Sequence, residues 1–340
     1  MRKAVGLIGL LVALSALAFA WEHHAGGTSH FLTLPNWRNL LTWIGLFGIL
    51  SLGQSLVIIT GGIDLSVGSV VALVGIVAAM LLDKGQGFHP LLVLPLCLLL
   101  AGGIGAWHGL LITKARMQPF VVTLCGLFTF RGIARFITQD STQGFGTSFT
   151  GLRWFGKGTL LDLAPGEHPA PLSTGMRLLD AASAPFLVMI FIAVVLAAYL
   201  HFSAQGRHLF ALGANEEAAR FSGVRTTRLK VQAYILCSLI SGVGGLLIAF
   251  KVNSMGPSDF GSFYELYAIA GAVLGGCSLR GGTGNVFGVV LGISLIMMLR
   301  NLVNILGIPS ELEYVVIGST ILLGVFIDEM LTRGRGAAPA

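Results

Sequence analysis

The sequence predicts an all-α membrane protein that crosses the lipid bilayer about ten times. Three observations lead to this fold class: 54% of the 340 residues are hydrophobic, only 11% are charged, and the mean hydropathy is +0.84. A soluble domain is about 25% charged, so this chain lacks the charges that would cover a water-soluble surface. Soluble enzymes, coiled coils, small disulfide-stabilised scaffolds and disordered chains are therefore excluded.

Ten apolar runs approach the length of about 20 residues that a spanning helix needs. They cover residues 4–20, 41–59, 65–82, 91–112, 120–138, 185–202, 231–250, 266–279, 286–305 and 312–331 of one continuous transmembrane domain, 1–340. The eighth run is short and rich in glycine, which indicates a broken or re-entrant helix. The first run follows Arg2 and Lys3, so an uncleaved first span and a cleavable signal peptide both stay open.

The basic residues predict the orientation, because the short cytoplasmic connections of membrane proteins are enriched in Lys and Arg. With the N-terminus inside, 12 of the 21 basic residues fall on the cytoplasmic side. Both termini are then cytoplasmic, residues 139–184 form an outer loop, and residues 203–230 form a cytoplasmic segment. The formal net charge of +6 is thus an orientation signal, and we expect no nucleic-acid partner.

We expect neither a catalytic group nor a metal or cofactor site in this chain. The four cysteines lie singly in different apolar runs, and the eight histidines have no metal-ligand spacing. Residues 151–157 resemble a phosphate-binding loop, but Gly158 stands where Ser or Thr is required.

The segment 203–230 contains the most informative polar motif. Asn215 is a preferred helix N-cap, Glu216 and Glu217 follow where the helix dipole favours acidic groups, and Gly223 is a typical helix stop. The pattern predicts a two-turn helix on the cytoplasmic face. On these residues alone, an interfacial helix held by membrane lipid headgroups is the alternative.

Three motifs in order resemble one family. Residues 217–223 match the EAA-x-x-x-G core found in permease subunits of ATP-driven importers, although the usual trailing Ile-x-Leu-Pro is missing. With GGIDLSVGS at 61–69 and ELYAIAGAVLGG at 265–276, residues 38–328 closely resemble the ribose-type sugar permease subunits of bacterial ABC importers. The outer loop matches poorly.

The resemblance implies a fold like that of the cobalamin-type importers, in the bacterial inner membrane. It also implies a second permease subunit (a copy or a paralogue), a cytoplasmic ABC ATPase that binds ATP and Mg²⁺, and a periplasmic sugar-binding protein. The residues expected to couple to the ATPase are Asn215, Glu216, Glu217, Arg220 and Gly223. The residues expected in gating or structural roles are Gly61, Gly62, Asp64, Ser66, Gly68, Glu265, Gly275 and Gly276.

Two acidic residues have alternative interpretations. Asp64 is either an N-cap of the third span or the residue that fixes a turn beside an inner gate. Glu265 is either a cap of the short eighth helix or a contact for the binding protein at the outer mouth. The Gly-Gly pairs 61–62 and 275–276, each following an apolar helix, also indicate an internal repeat.

Sugars are neutral and rich in hydroxyl groups, so polar side chains within spans are candidates for the substrate pathway. These are Gln54, Asn253, Asn301 and Asn304. For each of them a hydrogen bond between helices is the alternative. At the level of the whole protein, the alternatives are an ABC permease for nucleosides or branched-chain amino acids, an ion-coupled secondary transporter and a membrane scaffold.

Overall fold

The computed structural model describes residues 2–24, 30–83, 87–163, 174–320 and 322. These residues form helices, with two isolated β-bridges as the extended pairings among them. The α-helices are α1 (Arg2–His24), α2 (Leu34–Ile59), α3 (Val67–Leu82), α4 (Pro90–Thr113), α5 (Pro119–Thr138), α6 (Leu152–Lys157), α7 (Thr174–Ala181), α8 (Ala184–Phe202), α9 (Ala204–Ala214), α10 (Glu216–Phe221), α11 (Thr226–Val252), α12 (Tyr264–Leu274) and α13 (Val286–Ile305). Single 3₁₀ turns cover Leu161–Leu163 and Ser310–Leu312.

Seven helices in the described part of the chain are long and apolar enough to cross a membrane: α1, α2, α4, α5, α8, α11 and α13. The prediction of an all-α, multi-pass membrane protein is therefore confirmed. The predicted third and eighth spans correspond to α3 and α12, which have only 16 and 11 residues and are shorter than a full crossing. Of the predicted tenth span, residues 313–320 and 322 are helical, and the others lie outside the described residues.

Helix α2 forms the centre of the molecule, with α8, α11, α12 and α13 packed around it. Every residue from Ile44 to Ile59 is buried. Small residues permit this close packing, as expected in lipid, where no hydrophobic force draws helices together. A Cβ atom on Gly45 would lie 2.5 Å from the carbonyl carbon of Pro185 in α8.

Helices α2 and α12 end in the same way. Each is closed by a Schellman turn containing a glycine of positive φ, Gly61 at +81° and Gly276 at +97°. The amide after each glycine donates to the carbonyl five residues earlier, at 3.1 Å and 3.0 Å. The two helix ends therefore have the same backbone conformation, in which Gly61 corresponds to Gly276 and not to Gly275 as the two Gly-Gly pairs suggest. We call residues 60–66 the first break and residues 275–285 the second break.

Candidate functional site

The helix predicted around Glu216 is present as α10. Asn215 has an extended backbone, and its side-chain oxygen accepts a hydrogen bond from the amide of Ala218 at 3.0 Å. At the other end, Gly223 has a φ of +85°, and its amide donates to the carbonyl of Arg220 at 3.0 Å. The predicted N-cap and the predicted stop are therefore both confirmed.

The side chains of α10 divide into an anchored group and an exposed group. Glu216 forms an ion pair with Lys230 of α11 at 2.5 Å, which ties the short helix to a long one. Glu217 and Arg220 are exposed. Phe221, which the sequence interpretation did not include, is 79% exposed, with the Arg220 guanidinium 5.8 Å from its ring centre. Aromatic residues and arginine are enriched at protein–protein interfaces.

The backbone before α10 contacts the end of α2 and the second break. Gly213, near the end of α9, lies directly against the carbonyl of Ile59 and the amide of Gly282. That amide donates to the same carbonyl at 2.9 Å. A Cβ atom on Gly281 would lie 2.7 Å from the Gly213 oxygen and 2.8 Å from the Gly61 nitrogen. We call Gly61, Gly213, Gly281 and Gly282 the glycine junction, because backbone packs on backbone there and a Cβ atom on Gly213, Gly281 or Gly282 would collide with a neighbouring backbone.

Asp64 lies in the first break and is only 1% exposed. Its Oδ1 accepts hydrogen bonds from the amide and the hydroxyl of Ser66, at 2.8 Å and 2.6 Å. Ser66 itself occupies the N-cap position of α3. The N-cap expectation for Asp64 is therefore wrong, because its carboxylate closes a turn two residues before the cap.

Gln54 of α2 supports the same turn from the other side. The side-chain amide is oriented so that both its oxygen and its nitrogen have partners. The Gln54 oxygen accepts a hydrogen bond from the backbone amide of Asp64 at 3.1 Å, and the nitrogen donates one to the backbone carbonyl of Asp64 at 3.2 Å. Gln54 is fully buried. Gln54 was a candidate for the substrate pathway, with a hydrogen bond between helices as the alternative. Its hydrogen bonds join α2 to the first break, which agrees with the alternative.

Two further polar side chains lie close to Asp64. His108 of α4 and Tyr234 of α11 are fully or almost fully buried, and both interact electrostatically with Asp64. Within the described residues, Asp64 Oδ2, the Tyr234 hydroxyl and both ring nitrogens of His108 have no hydrogen-bond partner. We call these three residues the Asp64 cluster.

Glu265, in the first turn of α12, is only 7% exposed. Its carboxylate lies directly against Gly68 of α3, where a Cβ atom would collide with Oε2. The expectation of a helix cap is wrong, because Phe263 occupies the N-cap position of α12 and Glu265 lies inside the helix. The expected contact with the binding protein at the outer mouth does not fit either, because the carboxylate is buried.

The other three pathway candidates differ in their surroundings. Asn301 of α13 exchanges two hydrogen bonds with Asn36 of α2, at 2.7 Å and 3.3 Å. Asn253 ends α11 and bonds to the backbone of Phe145 and Gly146, at 3.0 Å and 2.8 Å. Asn304 is exposed. Two of these three therefore have partners within the chain.

Comparison with known proteins gives a consistent result over nearly the whole chain. A family model described as "branched-chain amino acid transport system / permease component" matches residues 36–325. Ribose import permease protein RbsC of Bacillus subtilis (strain 168) is 37% identical over 300 residues, which cover 88% of this chain and 86% of that protein. RbsC of Escherichia coli (strain K12) is 35% identical over 331 residues, or 96% and 92% of the two chains.

Xylose transport system permease protein XylH of Escherichia coli (strain K12) is 31% identical over 367 residues, again 96% of this chain and 92% of the relative. No solved structure matches significantly. The family model and these relatives agree on a transport permease, and the described helices have the lengths and hydropathy of a multi-pass membrane protein. The chain belongs to the family of branched-chain amino acid transport system permease components.

Proposed function

We propose that the chain is the membrane permease subunit of an ATP-driven ABC importer that moves a monosaccharide, ribose or a related sugar, from the periplasm to the cytoplasm. The observation that carries this proposal is the similarity to ribose and xylose permeases over 88–96% of the chain. The sequence motifs at α10 and at both breaks agree with it. The chain then forms no chemical bond itself, and a partner ATPase binds ATP and Mg²⁺.

In this proposal the permease lies in the bacterial inner membrane with both termini in the cytoplasm. It pairs with a second permease subunit, either a copy of itself or a paralogue. A periplasmic sugar-binding protein supplies the selectivity, so the permease needs no tight sugar site of its own. This agrees with the partners that three of the four pathway candidates have within the chain.

The geometry suggests how ATP energy would reach the membrane. The exposed face of α10, with Glu217, Arg220 and Phe221, docks on the ATPase, while Glu216 holds α10 to α11. A displacement of α10 moves α9, and the glycine junction passes the movement to both breaks at once. Because the breaks connect α2 to α3 and α12 to α13, they are the points where helix ends can separate.

Transport by the reconstituted importer tests the proposal. We expect liposomes that contain the chain, its ATPase and its binding protein to take up labelled ribose only with ATP. A non-hydrolysable ATP analogue serves as the control, and unlabelled xylose should reduce the uptake. Uptake driven by a proton or sodium gradient without ATP would contradict the proposal and favour a secondary transporter. ATP-driven uptake of leucine or a nucleoside, with no sugar uptake, would overturn the sugar assignment.

A further inference from the structure

An apolar groove runs between α4 and α5, two helices that are long and apolar enough to cross a membrane. The groove has a volume of about 570 Å³. Its walls are two stripes of side chains, each on one face of its helix because the spacing is three, four or seven positions. The main members of the two stripes are Leu100, Trp107 and Leu111 on α4 and Val122, Cys125 and Thr129 on α5.

The packing of α4 shows which way the groove faces. A Cβ atom on Gly109 would lie 2.7 Å from the Cα atom of Val231, and one on Gly105 would lie 2.7 Å from the Cα atom of Ile235. Helices α4 and α11 are therefore antiparallel neighbours. Trp107 lies on the other side of α4 and is 60% exposed, so the groove opens away from the helix bundle, where a membrane protein meets lipid.

The same contacts show at which side of the molecule the groove ends. The C-terminal end of α4 lies beside the N-terminal end of α11, and α11 begins shortly after α10. The loop from α4 to α5 is therefore on the α10 side of the molecule. From Leu100 to Leu111 the groove extends about 16 Å along α4, close to the half-thickness of about 15 Å of a bilayer's hydrocarbon core. Its length is thus that of the acyl chains of one leaflet.

Two basic residues lie in the loop at the end of the groove. Lys114 and Arg116 are both exposed, and neither forms an ion pair within the described residues. Arg116 has a φ of +56°, and the amide of Met117 donates to the carbonyl of Leu111 at 3.3 Å. This turn brings Met117 into the lining of the groove. Basic side chains next to a membrane helix attract anionic lipid headgroups.

We propose that the groove between α4 and α5 binds one anionic phospholipid from the leaflet on the α10 side. An acyl chain lies between the two helices, and the phosphate group contacts Lys114 and Arg116. The hydroxyl of Thr123 in α5 donates to the carbonyl of Ile63 at 3.2 Å, so the lipid packs against a helix that is joined to the first break. The proposal uses the fold and does not depend on the proposed substrate.

Quenching of Trp107 fluorescence by brominated lipids tests the site. The full-length chain is reconstituted in phosphatidylcholine bilayers, and the emission lost in Trp107→Phe identifies the signal of this tryptophan. We expect brominated phosphatidylglycerol to bind beside Trp107 about 25-fold more tightly than brominated phosphatidylcholine, because each of the two basic residues contributes about a factor of five. Equal quenching by the two brominated lipids would overturn the proposal.

The contribution of the two basic residues is tested by the double variant Lys114→Gln, Arg116→Gln. We expect it to bind both brominated lipids with about equal affinity. The matched control is Arg207→Gln, Arg228→Gln, which removes two exposed charges on the same side of the molecule and should retain the preference for phosphatidylglycerol. An equal loss in the two double variants would indicate non-specific attraction to the whole surface and would overturn the proposal.

The position of the acyl chain is tested by filling the groove. Cys125→Phe should lower the affinity for phosphatidylglycerol beside Trp107 about tenfold, whereas Ile133→Phe, an exposed position further along α5, should not. An unchanged affinity in Cys125→Phe would overturn the proposal. A wild type in which neither lipid quenches Trp107 would also overturn it and would indicate that a second copy of the chain covers the groove. None of these measurements requires ATP, an ATPase or a sugar, so failure here leaves the proposed function intact.

Discussion

At the scale of single residues, the long-range polar pairs distinguish structural roles from substrate contacts. Asn36 and Asn301 are 265 positions apart, yet their amides exchange two hydrogen bonds between α2 and α13. Each amide thereby satisfies the donor and the acceptor of the other in an apolar surrounding. Such a pair fixes the position of the two helices relative to each other. Its polar atoms are already hydrogen-bonded and do not require a sugar hydroxyl as a partner.

We expect a double-mutant cycle on Asn36→Ala and Asn301→Ala to give a coupling energy of about 0.6–1.7 kcal/mol, the range found for hydrogen bonds between membrane helices. The free energy of unfolding in detergent is the quantity to compare. The KM for sugar uptake should stay unchanged in both single variants. Strictly additive effects, or a raised KM in Asn301→Ala alone, would assign Asn301 to the substrate pathway instead.

Local residue roles could be read from the sequence, and long-range ones could not. The Asn215 cap depends on an amide three positions away, so the sequence pattern was sufficient to predict it. The Asp64 cluster joins a break, α4 and α11, and no spacing rule links these parts of the chain. The one available signal was His108, a lone histidine within an apolar run, and it did not reveal its neighbours.

At the scale of elements, α10 is too short to be stable without contacts, because isolated helices of this length are marginal in water. Its cap, the Glu216–Lys230 ion pair and the glycine junction hold it in place. Glu217, Arg220 and Phe221 are therefore exposed on a helix that is fixed in position by these contacts. The exposure of Phe221 depends on how α10 packs, which explains why the motif did not identify it.

Substitutions on α10 should weaken the interaction with the ATPase without preventing membrane insertion. We expect Phe221→Ala or Glu217→Lys to lower the affinity for the ATPase about tenfold, which corresponds to a loss of about 1.4 kcal/mol. The measurement is binding of the ATPase to the tagged permease in detergent. Phe202→Ala is the matched control, because Phe202 is 84% exposed and lies outside α10. Equal losses in Phe202→Ala and Phe221→Ala would contradict a specific role for α10.

At the scale of the whole molecule, two matching breaks meet one cytoplasmic segment. Hydropathy predicted a helix in each of the ten runs, and the described residues show one in every run, although only part of the tenth is described. It indicated that the eighth run is short, as α12 is, but it did not predict that α3 is also too short to cross, because the turn that ends at Ser66 occupies the start of that run. The contacts of Gly281 with Gly213 and Gly61 could not be predicted either. Close backbone contact at a glycine leaves no recognisable pattern in the sequence.

The central claim is that the glycine junction transmits ATP-driven movement from α10 to both breaks. The most direct measurement is the amount of sugar imported per ATP hydrolysed by the reconstituted importer carrying Gly213→Ala. A Cβ atom at this position would collide with the Ile59 carbonyl and the Gly282 amide, at a cost of about 1–3 kcal/mol. The control is Gly103→Ala, where a Cβ atom meets nothing within 4 Å. We predict that Gly213→Ala still hydrolyses ATP but imports less sugar per ATP than Gly103→Ala, whereas an equal ratio in the two variants would contradict the account.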